Sequence, residues 1–223
     1  MPAKSSSVPA KRSRKAGSAS ADPSLSLELI VAAAVELLDS NGVDGLSMRR
    51  LADRLGAGAM SLYWHVDNKE QVFDLALDAV LAYPPSTSAA GDWRAAAVLM
   101  LEDWRAAMLR HPWSAVLLPR RALGPSMLAR LELLSQALSR AGVADADLNV
   151  AIWSVWNYVM GATITRGSFV RSADDLAAAQ GRLTELGEHY PTIRRSRLLL
   201  DSDWDGAFRR GLDLLLEGLV PGR

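Results

Sequence analysis

The sequence predicts an all-α protein, and three observations support that prediction. From residue 24 onward, apolar residues recur three and four positions apart, which is the period of an amphipathic helix. No segment alternates apolar and polar residues between turn signals, so no β-strand is predicted. Several of the periodic segments end at Gly or Pro, which commonly stop helices. With 223 residues, the chain is long enough for one large domain or two small ones.

The composition excludes some classes of protein. Hydrophobic residues make up 49% of the chain and charged residues 22%, which is ordinary for a soluble globular protein. The absence of cysteine excludes disulfide scaffolds and thiolate zinc sites, and it suits a reducing, cytoplasmic setting. The most apolar stretch, LNVAIWSVWNYVMGATIT at 148–165, contains Asn, Ser and Thr residues, so we interpret it as a buried helix rather than a membrane span.

The charges are unevenly distributed along the chain. The formal net charge is zero, which counts mildly against a nucleic-acid binder. Within residues 1–23, however, five basic residues precede the first acidic residue, Asp22: Lys4, Lys11, Arg12, Arg14 and Lys15. The rest of this segment is mainly Ser, Ala and Pro. It lacks the apolar stretch that secretion requires. We predict a disordered basic arm before the folded part.

Four helices are predicted between residues 24 and 83. The first is capped by Ser24 or Ser26 and ends at Asn41-Gly42, with Gly in the left-handed conformation. A short helix at 47–55 ends at Gly56, and a second short helix covers 58–66. The fourth covers 69–82, and a capping box of Asn68 and Gln71 precedes it. We therefore place a helix-turn-helix domain at 24–83.

Longer helices are predicted in a second domain at 91–223. Their expected bounds are 92–110, 113–118, 125–141, 146–169, 173–189 and 203–219. The segment TIRRSRLLLDS at 192–202 is predicted to be a connector, and PPSTSAAG at 84–91 the linker between the domains.

A short helix, a glycine turn and a second short helix are typical of DNA-binding proteins, in which the second helix enters the major groove. The same pattern also fits an αα-hairpin in an unrelated helical domain. The residues themselves favour the first interpretation. The segment LLDSNGVDGLSMRRLADRLGAGAMSLYWHVDNKEQVFDLAL resembles the DNA-binding domain of the tetracycline-repressor (TetR) family, over about residues 25–80. The resemblance implies a dimeric transcriptional regulator, most often a repressor that a small-molecule inducer releases from a palindromic double-stranded DNA operator.

The resemblance also implies roles for individual residues at the DNA. Tyr63 and His65 correspond to phosphate contacts, and Arg49 corresponds to a position that reads a base, for which bidentate binding of guanine suits arginine. The alternatives are a half-buried core position for Tyr63 and solvated surface positions for His65 and Lys69. The full predicted DNA-binding set is Ser47, Met48, Arg49, Ala59, Met60, Ser61, Tyr63, His65 and Lys69.

Other residues near this set have different expected roles. Lys69 begins a helix, where its ammonium and the backbone N–H groups can share a phosphate. Leu62 and Val66 are four residues apart and are predicted to pack inward, while Trp64 is expected to be half-buried beside the DNA. Ala59 and Met60 offer only apolar contacts, for example to thymine methyl groups, so the tetracycline operator itself is not expected.

In the C-terminal part, the resemblance implies a four-helix dimer interface and an inducer cavity. The helix at 146–169 and a stripe of five residues on the last helix suit the interface, although both can instead face their own core; the stripe is Phe208, Leu212, Leu215, Leu216 and Leu219. Aromatic residues, methionines and one amide suit a cavity for a planar ligand, with plain core packing as the alternative; they are Trp104, Met108, Trp113, Met127, Trp153, Trp156, Asn157 and Met160.

No cofactor, metal site or catalytic set is predicted. Tetracycline repressors bind a magnesium–drug complex through histidine, but His111 and His189 match no such ligand position, so tetracycline is not the expected inducer. We find no nucleophile–base set, phosphate loop or metal-binding spacing, and an enzyme is therefore not expected. The main alternative is an all-helical small-molecule-binding protein that does not act on DNA. The segment 47–69 argues against that alternative, because a carrier has no use for it.

Overall fold

The computed structural model describes residues 25–83, 92–168, 173–186, 188–196 and 203–220. The predicted arm at 1–23 and the predicted linker at 84–91 lie outside these ranges, and the proposed domain bounds stay a prediction. The described residues form helices and no strand, which confirms the all-α prediction. None of the described helices combines the length and the apolar character needed to cross a membrane.

The first four helices are α1 (Leu27–Gly45), α2 (Met48–Leu55), α3 (Ala59–Leu62) and α4 (Lys69–Val80). Ser26 caps α1 by accepting a hydrogen bond from the Leu29 N–H. Gly42 has φ 67° and ψ −171°, so the regular helix is interrupted there and one further turn follows before Leu46. Gly56 ends α2 in the left-handed conformation, at φ 63°, a region that side chains with a Cβ adopt only with strain.

The second short helix is shorter than the prediction of 58–66. Regular α-helix ends at Leu62, and residues 63–65 form a tight turn in which the N–H groups of His65 and Val66 both donate to the Leu62 carbonyl. The chain must then extend at Asn68, with φ −163° and ψ 174°, so that this residue can cap α4. The capping box forms as expected on the side of Asn68, which accepts from the Gln71 N–H at 2.8 Å.

The C-terminal helices of the described residues are α5 (Trp93–Arg110), α6 (Pro112–Leu117), α7 (Pro125–Arg140), α8 (Asp145–Ser168), α9 (Ala173–Leu186), α10 (Pro191–Ser196) and α11 (Trp204–Leu219). A short 3₁₀ turn at Leu118–Arg120 follows α6. The predicted connector at 192–202 was wrong in its first part, because Pro191 begins α10. The remaining residues of that segment lie outside the described ranges.

One continuous hydrophobic core joins the N-terminal and C-terminal helices. Ile30, Leu51, Val72 and Leu77 belong to the same buried cluster as Leu101 and Leu138. Helix α4 packs against α1, α6 and α7. The helix that follows the helix-turn-helix therefore connects the N-terminal helices to the C-terminal helices within this one core.

Candidate nucleic-acid interface

Helix α3 is held in place by two buried aliphatic residues. Leu62 is fully buried and Val66 nearly so, and both lie in the common core with Leu51 of α2. This is the packing role predicted from their spacing. With Leu62 and Val66 inside, the residues between and before them are directed away from the core.

The outer surface of this segment is aromatic and apolar. Met60 is 72% exposed, Trp64 63% and Tyr63 47%, and Ala59 is exposed as well. Trp64 is more exposed than the half-buried position expected for it. Large exposed hydrophobic side chains in consecutive positions are unusual on a free surface and indicate a binding surface.

The three arginines of α2 differ in what they contact. Arg54 Nε donates to Glu36 Oε2 at 2.9 Å, and Arg50 Nη1 donates to the Gly45 carbonyl at 3.1 Å. The Arg49 side chain is 90% exposed, and its Nε is 3.9 Å from Asp53 Oδ2. Because such an exposed ion pair contributes little, Arg49 is free to reorient toward a ligand.

The polar members of the predicted set other than Arg49 and Tyr63 are two serines, a histidine and a lysine. Ser47 caps α2 by accepting from the Arg50 N–H at 3.2 Å. His65 is half-buried, and its Nε2 has no hydrogen-bond partner among the described residues. Lys69 begins α4, with its Nζ 5.2 Å from the centre of the Phe73 ring. Ser61 is half-buried. Of the predicted set, Met48 is the member that packs against the core.

Helix α4 is attached to the C-terminal helices by residues that the sequence did not single out. Arg121 Nη2 donates to Asp74 Oδ2 at 3.0 Å and to the Glu70 carbonyl at 2.9 Å. Hydrogen bonding to the Asp74 carboxylate is the largest influence on the pKa of Arg121 and raises it; burial offsets part of this rise, and the hydrogen bond to the Glu70 carboxylate raises the pKa further. Asp78 Oδ1 accepts from the Ser126 N–H at 2.7 Å. The sequence shows acidic residues at every fourth position of α4, namely Glu70, Asp74 and Asp78. It does not show which residues of the C-terminal part bond them.

The C-terminal end of α4 is held by a buried arginine. Arg130 is 1% exposed, and it donates to the Leu81 carbonyl at 2.8 Å and to Asp103 Oδ2 at 2.6 Å. The same guanidinium donates to the Met100 carbonyl at 3.1 Å, so it bridges α4, α5 and α7.

The predicted pocket residues do not all lie on one inner surface. Six of them are buried: Trp104, Met108, Trp113, Met127, Trp156 and Met160. Trp153 is 53% exposed and Asn157 is also exposed, so these two lie on the outer face of α8. A separate open groove of about 790 Å³ lies between α1, α4 and the end of α5, and none of the predicted pocket residues lines it.

The predicted dimer stripe on α11 faces the chain's own core at three of its five residues. Phe208, Leu212 and Leu216 are buried within the chain's own core, and Leu215 and Leu219 are partly buried against it. Phe208 stacks on Tyr158 with ring centres 5.4 Å apart, and the Tyr158 hydroxyl donates to the Phe208 carbonyl. The amphipathic stripe therefore faces α8 and α5 of the same chain, which was the alternative left open by the sequence.

These contacts define a class of protein: a helix-turn-helix DNA-binding domain whose last helix is built into a helical C-terminal core. The comparisons with known proteins agree. Residues 30–76 match the family model described as bacterial regulatory proteins, tetR family. Residues 85–221 match the model of the tetracyclin repressor-like C-terminal domain.

Individual relatives support the same family. A helix-turn-helix-type transcriptional regulator of Saccharopolyspora erythraea is 41% identical over 207 residues, covering 89% of this chain and 86% of that protein. Streptomyces coelicolor ActR in complex with actinorhodin has a TM-score of 0.75 at 28% identity, covering 87% and 96%. BioQ with its natural double-stranded DNA operator has a TM-score of 0.64 at 28% identity, covering 89% and 99%. The chain belongs to the TetR family of helix-turn-helix transcriptional regulators.

Proposed function

We propose that the chain is a homodimeric repressor that binds a double-stranded DNA operator and is released from it by a small-molecule ligand. Family membership supports the regulatory role, BioQ is a relative with a DNA operator, and ActR is a relative with a bound small molecule. A bacterial regulator that acts on DNA works in the cytoplasm. The observation that carries the proposal is the exposed surface of Met60, Tyr63 and Trp64 beside the buried anchors Leu62 and Val66.

Base recognition is assigned to Arg49, Ala59 and Met60. The Arg49 side chain is 90% exposed, against 48% for Arg54 on the same helix, and its five N–H donors suit guanine O6 and N7. Ala59 and Met60 begin α3, are exposed and have no polar side-chain atoms that can bond a base edge, so they suit thymine methyl groups. These residues predict that the operator sequence differs from the tetracycline operator.

Phosphate contacts are assigned to Tyr63, His65, Lys69 and the turns around Ser47 and Ser61. The Tyr63 ring is about half exposed, and its hydroxyl can reach a phosphate while the ring contacts the sugar. The His65 ring is half-buried and its unpartnered Nε2 is shielded from solvent, so a hydrogen bond from this nitrogen to a phosphate oxygen requires the ring to turn outward. Lys69 combines its ammonium with the N-terminal end of α4, where the backbone N–H groups favour an anion.

The dimer face is assigned to the outer side of α8, together with α11. Val150 is 64% exposed, Trp153 53% and Ile164 50%, at positions that fall on one side of a helix, with Asn157 between them. Leu214, on the neighbouring α11, is 62% exposed. An apolar face of this extent on paired helices fits a partner with the same face, as two-fold symmetry requires.

Ligand response is assigned to helix α4, because it links the two parts of the chain through Arg121, Asp78 and Arg130. A ligand releases DNA only by binding the shape that does not fit the operator more tightly than the shape that does. A hundredfold loss of operator affinity requires about 2.7 kcal/mol of coupling. Through these contacts, a movement of α7 against α4 would transmit ligand binding to the DNA-binding helices.

The test is a selection of bound sequences from random double-stranded DNA with the full chain. We expect enrichment of a palindrome whose half-sites are about one helical turn apart. No enrichment at moderate salt would contradict the proposal and would favour a helical ligand-binding protein that does not act on DNA.

A further inference from the structure

The start of α4, where Lys69 is assigned to a phosphate, carries more negative than positive charge. Residues 24–83 contain nine acidic and four basic residues, and residues 67–74 contain three acidic residues and one lysine. Glu70 is exposed and Asp74 is half-exposed, one turn apart on α4. Carboxylates beside a phosphate repel it. The DNA-binding helices by themselves therefore give this end of α4 a poor electrostatic setting for DNA.

A single residue of the C-terminal part, Arg121, covers both of these carboxylates. Its Nε and Nη2 donate to the two oxygens of Asp74, the latter at 3.0 Å, and its Nη1 donates to Glu70 Oε2. Nη2 also donates to the Glu70 carbonyl at 2.9 Å. The planar guanidinium suits such paired contacts. All three nitrogens are thus engaged with α4, and the side chain is only 16% exposed, so Arg121 does not itself reach DNA.

The guanidinium of Arg121 also lies near the ammonium of Lys69. Lys69 Nζ is 5.2 Å from the centre of the Phe73 ring, and the guanidinium carbon of Arg121 is 5.8 Å from the same centre. The two charges are therefore no farther apart than about one Debye length at 0.1 M salt, roughly 10 Å. A phosphate held by Lys69 is close enough to respond to the charge of Arg121 and of the carboxylates that it covers.

From these contacts we propose that Arg121 is a positioning residue for DNA binding, which neutralises Glu70 and Asp74 so that the start of α4 can hold a phosphate. The inference rests on the phosphate contact proposed for Lys69. Arg121 acts through the charge of its neighbours and makes no DNA contact of its own. The DNA-binding helices consequently depend on a cation that the C-terminal part of the chain supplies.

The test measures binding of the full chain to a fluorescein-labelled duplex of random sequence by fluorescence anisotropy. A duplex of about 30 base pairs at about 50 mM and about 300 mM salt is suitable, because phosphate contacts act on any sequence and depend on salt. Arg121→Met removes the charge and should weaken binding about fivefold or more at the lower salt, since a dimer carries the change twice. The difference from the wild type should shrink at the higher salt, where the charges are screened.

Compensating variants separate the charge of Arg121 from its hydrogen bonds. Arg121→Lys keeps the charge and loses most of the bonds, so it should bind within about twofold of the wild type. Adding Glu70→Gln and Asp74→Asn to Arg121→Met should restore binding, because no carboxylate is then left uncovered. The same two changes with Arg121 intact should bind DNA more tightly than the wild type, which keeps the proposal testable if Arg121→Met does not fold.

The matched control is Arg140→Met, which also removes one positive charge. Arg140 is exposed at the last residue of α7, about 22 Å along this helix from the end that meets α4, and the variant should bind as the wild type does. An equal loss in Arg140→Met would mean that only the overall charge matters and would overturn the proposal. A loss in Arg121→Met that persists at the higher salt, or that the added Glu70→Gln and Asp74→Asn do not restore, would also overturn it.

Lys69→Ala distinguishes this inference from the phosphate contact on which it rests. If Lys69→Ala weakens binding and Arg121→Met does not, the role of Arg121 alone is wrong. If Lys69→Ala binds as the wild type does, the phosphate contact and the role of Arg121 are both wrong. Because the duplex has a random sequence, these outcomes are independent of the operator selection.

Discussion

Trp113 donates its indole N–H to Asp39 Oδ1 at 2.7 Å, which joins the start of α6 to the middle of α1. His111 Nδ1 lies 2.8 Å from the same carboxylate oxygen. Two aromatic side chains at the junction of α5 and α6 thus meet one acidic residue of the N-terminal helices. Together with the contacts of Arg121 and Arg130, this makes a second attachment between the DNA-binding helices and the C-terminal core.

Replacing Asp39 with Ala should lower the free energy of unfolding by about 1–3 kcal/mol, because the buried N–H of Trp113 then lacks a partner. Urea denaturation at a fixed protein concentration measures the change. Asp39→Asn retains an acceptor oxygen and should lose less. An unchanged midpoint for Asp39→Ala would show that the contact does not contribute to the junction.

Replacing Arg130 with Met should destabilise the chain by about 3 kcal/mol or more, because buried carbonyls of α4 and α5 lose their donor and Asp103 loses its partner. Thermal or urea unfolding measures this. The matched control is Arg209→Ala, since the Arg209 side chain is 66% exposed in its pair with Glu102. That change should cost much less, because water already solvates this exposed pair. Equal losses would contradict the role given to the buried guanidinium.

Replacing Arg49 with Ala should relax the base preference at one position of each half-site and cost about 1–3 kcal/mol against the preferred base. Binding selections with the variant and the wild type compare the preferences position by position. Lys69→Ala is the contrasting variant, because removing a side chain that binds phosphate should weaken all sequences about equally. If Arg49→Ala weakened binding to all sequences equally, Arg49 would contact the DNA phosphate backbone and not a base.

Removing residues 1–20 should weaken operator binding and flatten its dependence on salt. The segment carries five basic residues and no acidic one. For each phosphate that the shortened chain no longer neutralises, the slope of log affinity against log salt should fall by about 0.9. Titrations at several salt concentrations measure the slope. The same slope for the shortened and the full chain would mean that the arm does not bind DNA.

Replacing Ile164 with Asp should shift the protein from dimer to monomer, because the change places a charge within the proposed apolar face of α8. Sedimentation equilibrium measures the association. Leu128→Asp, at a residue of α7 that is 53% exposed, is the control and should leave the dimer intact. If Ile164→Asp still forms a dimer, the interface does not lie on this face of α8.

Several features of the fold and the site were predictable because their causes are local. Ser47, Gly56 and Asn68 act on neighbouring backbone groups, so the helix ends around the helix-turn-helix followed from nearby residues. Leu62 and Val66 were assigned to the core by their spacing alone. The length of α3 was not predictable in the same way, because the chain leaves the helix at residue 63 to reach the cap of the next one.

The sequence by itself determined the helical period, the caps and the family resemblance, since each depends on residue types a few positions apart. The tertiary structure decided which partner each helix face meets. An amphipathic stripe shows that Phe208, Leu212 and Leu216 avoid water, but only packing shows that α8 and α5 of the same chain cover them. Likewise, Arg121 bonds acceptors on α4 and Arg130 bonds the Leu81 carbonyl just after it, at sequence separations of 47 to 51 residues. Such contacts depend on the folded path of the chain, and local sequence patterns do not encode them.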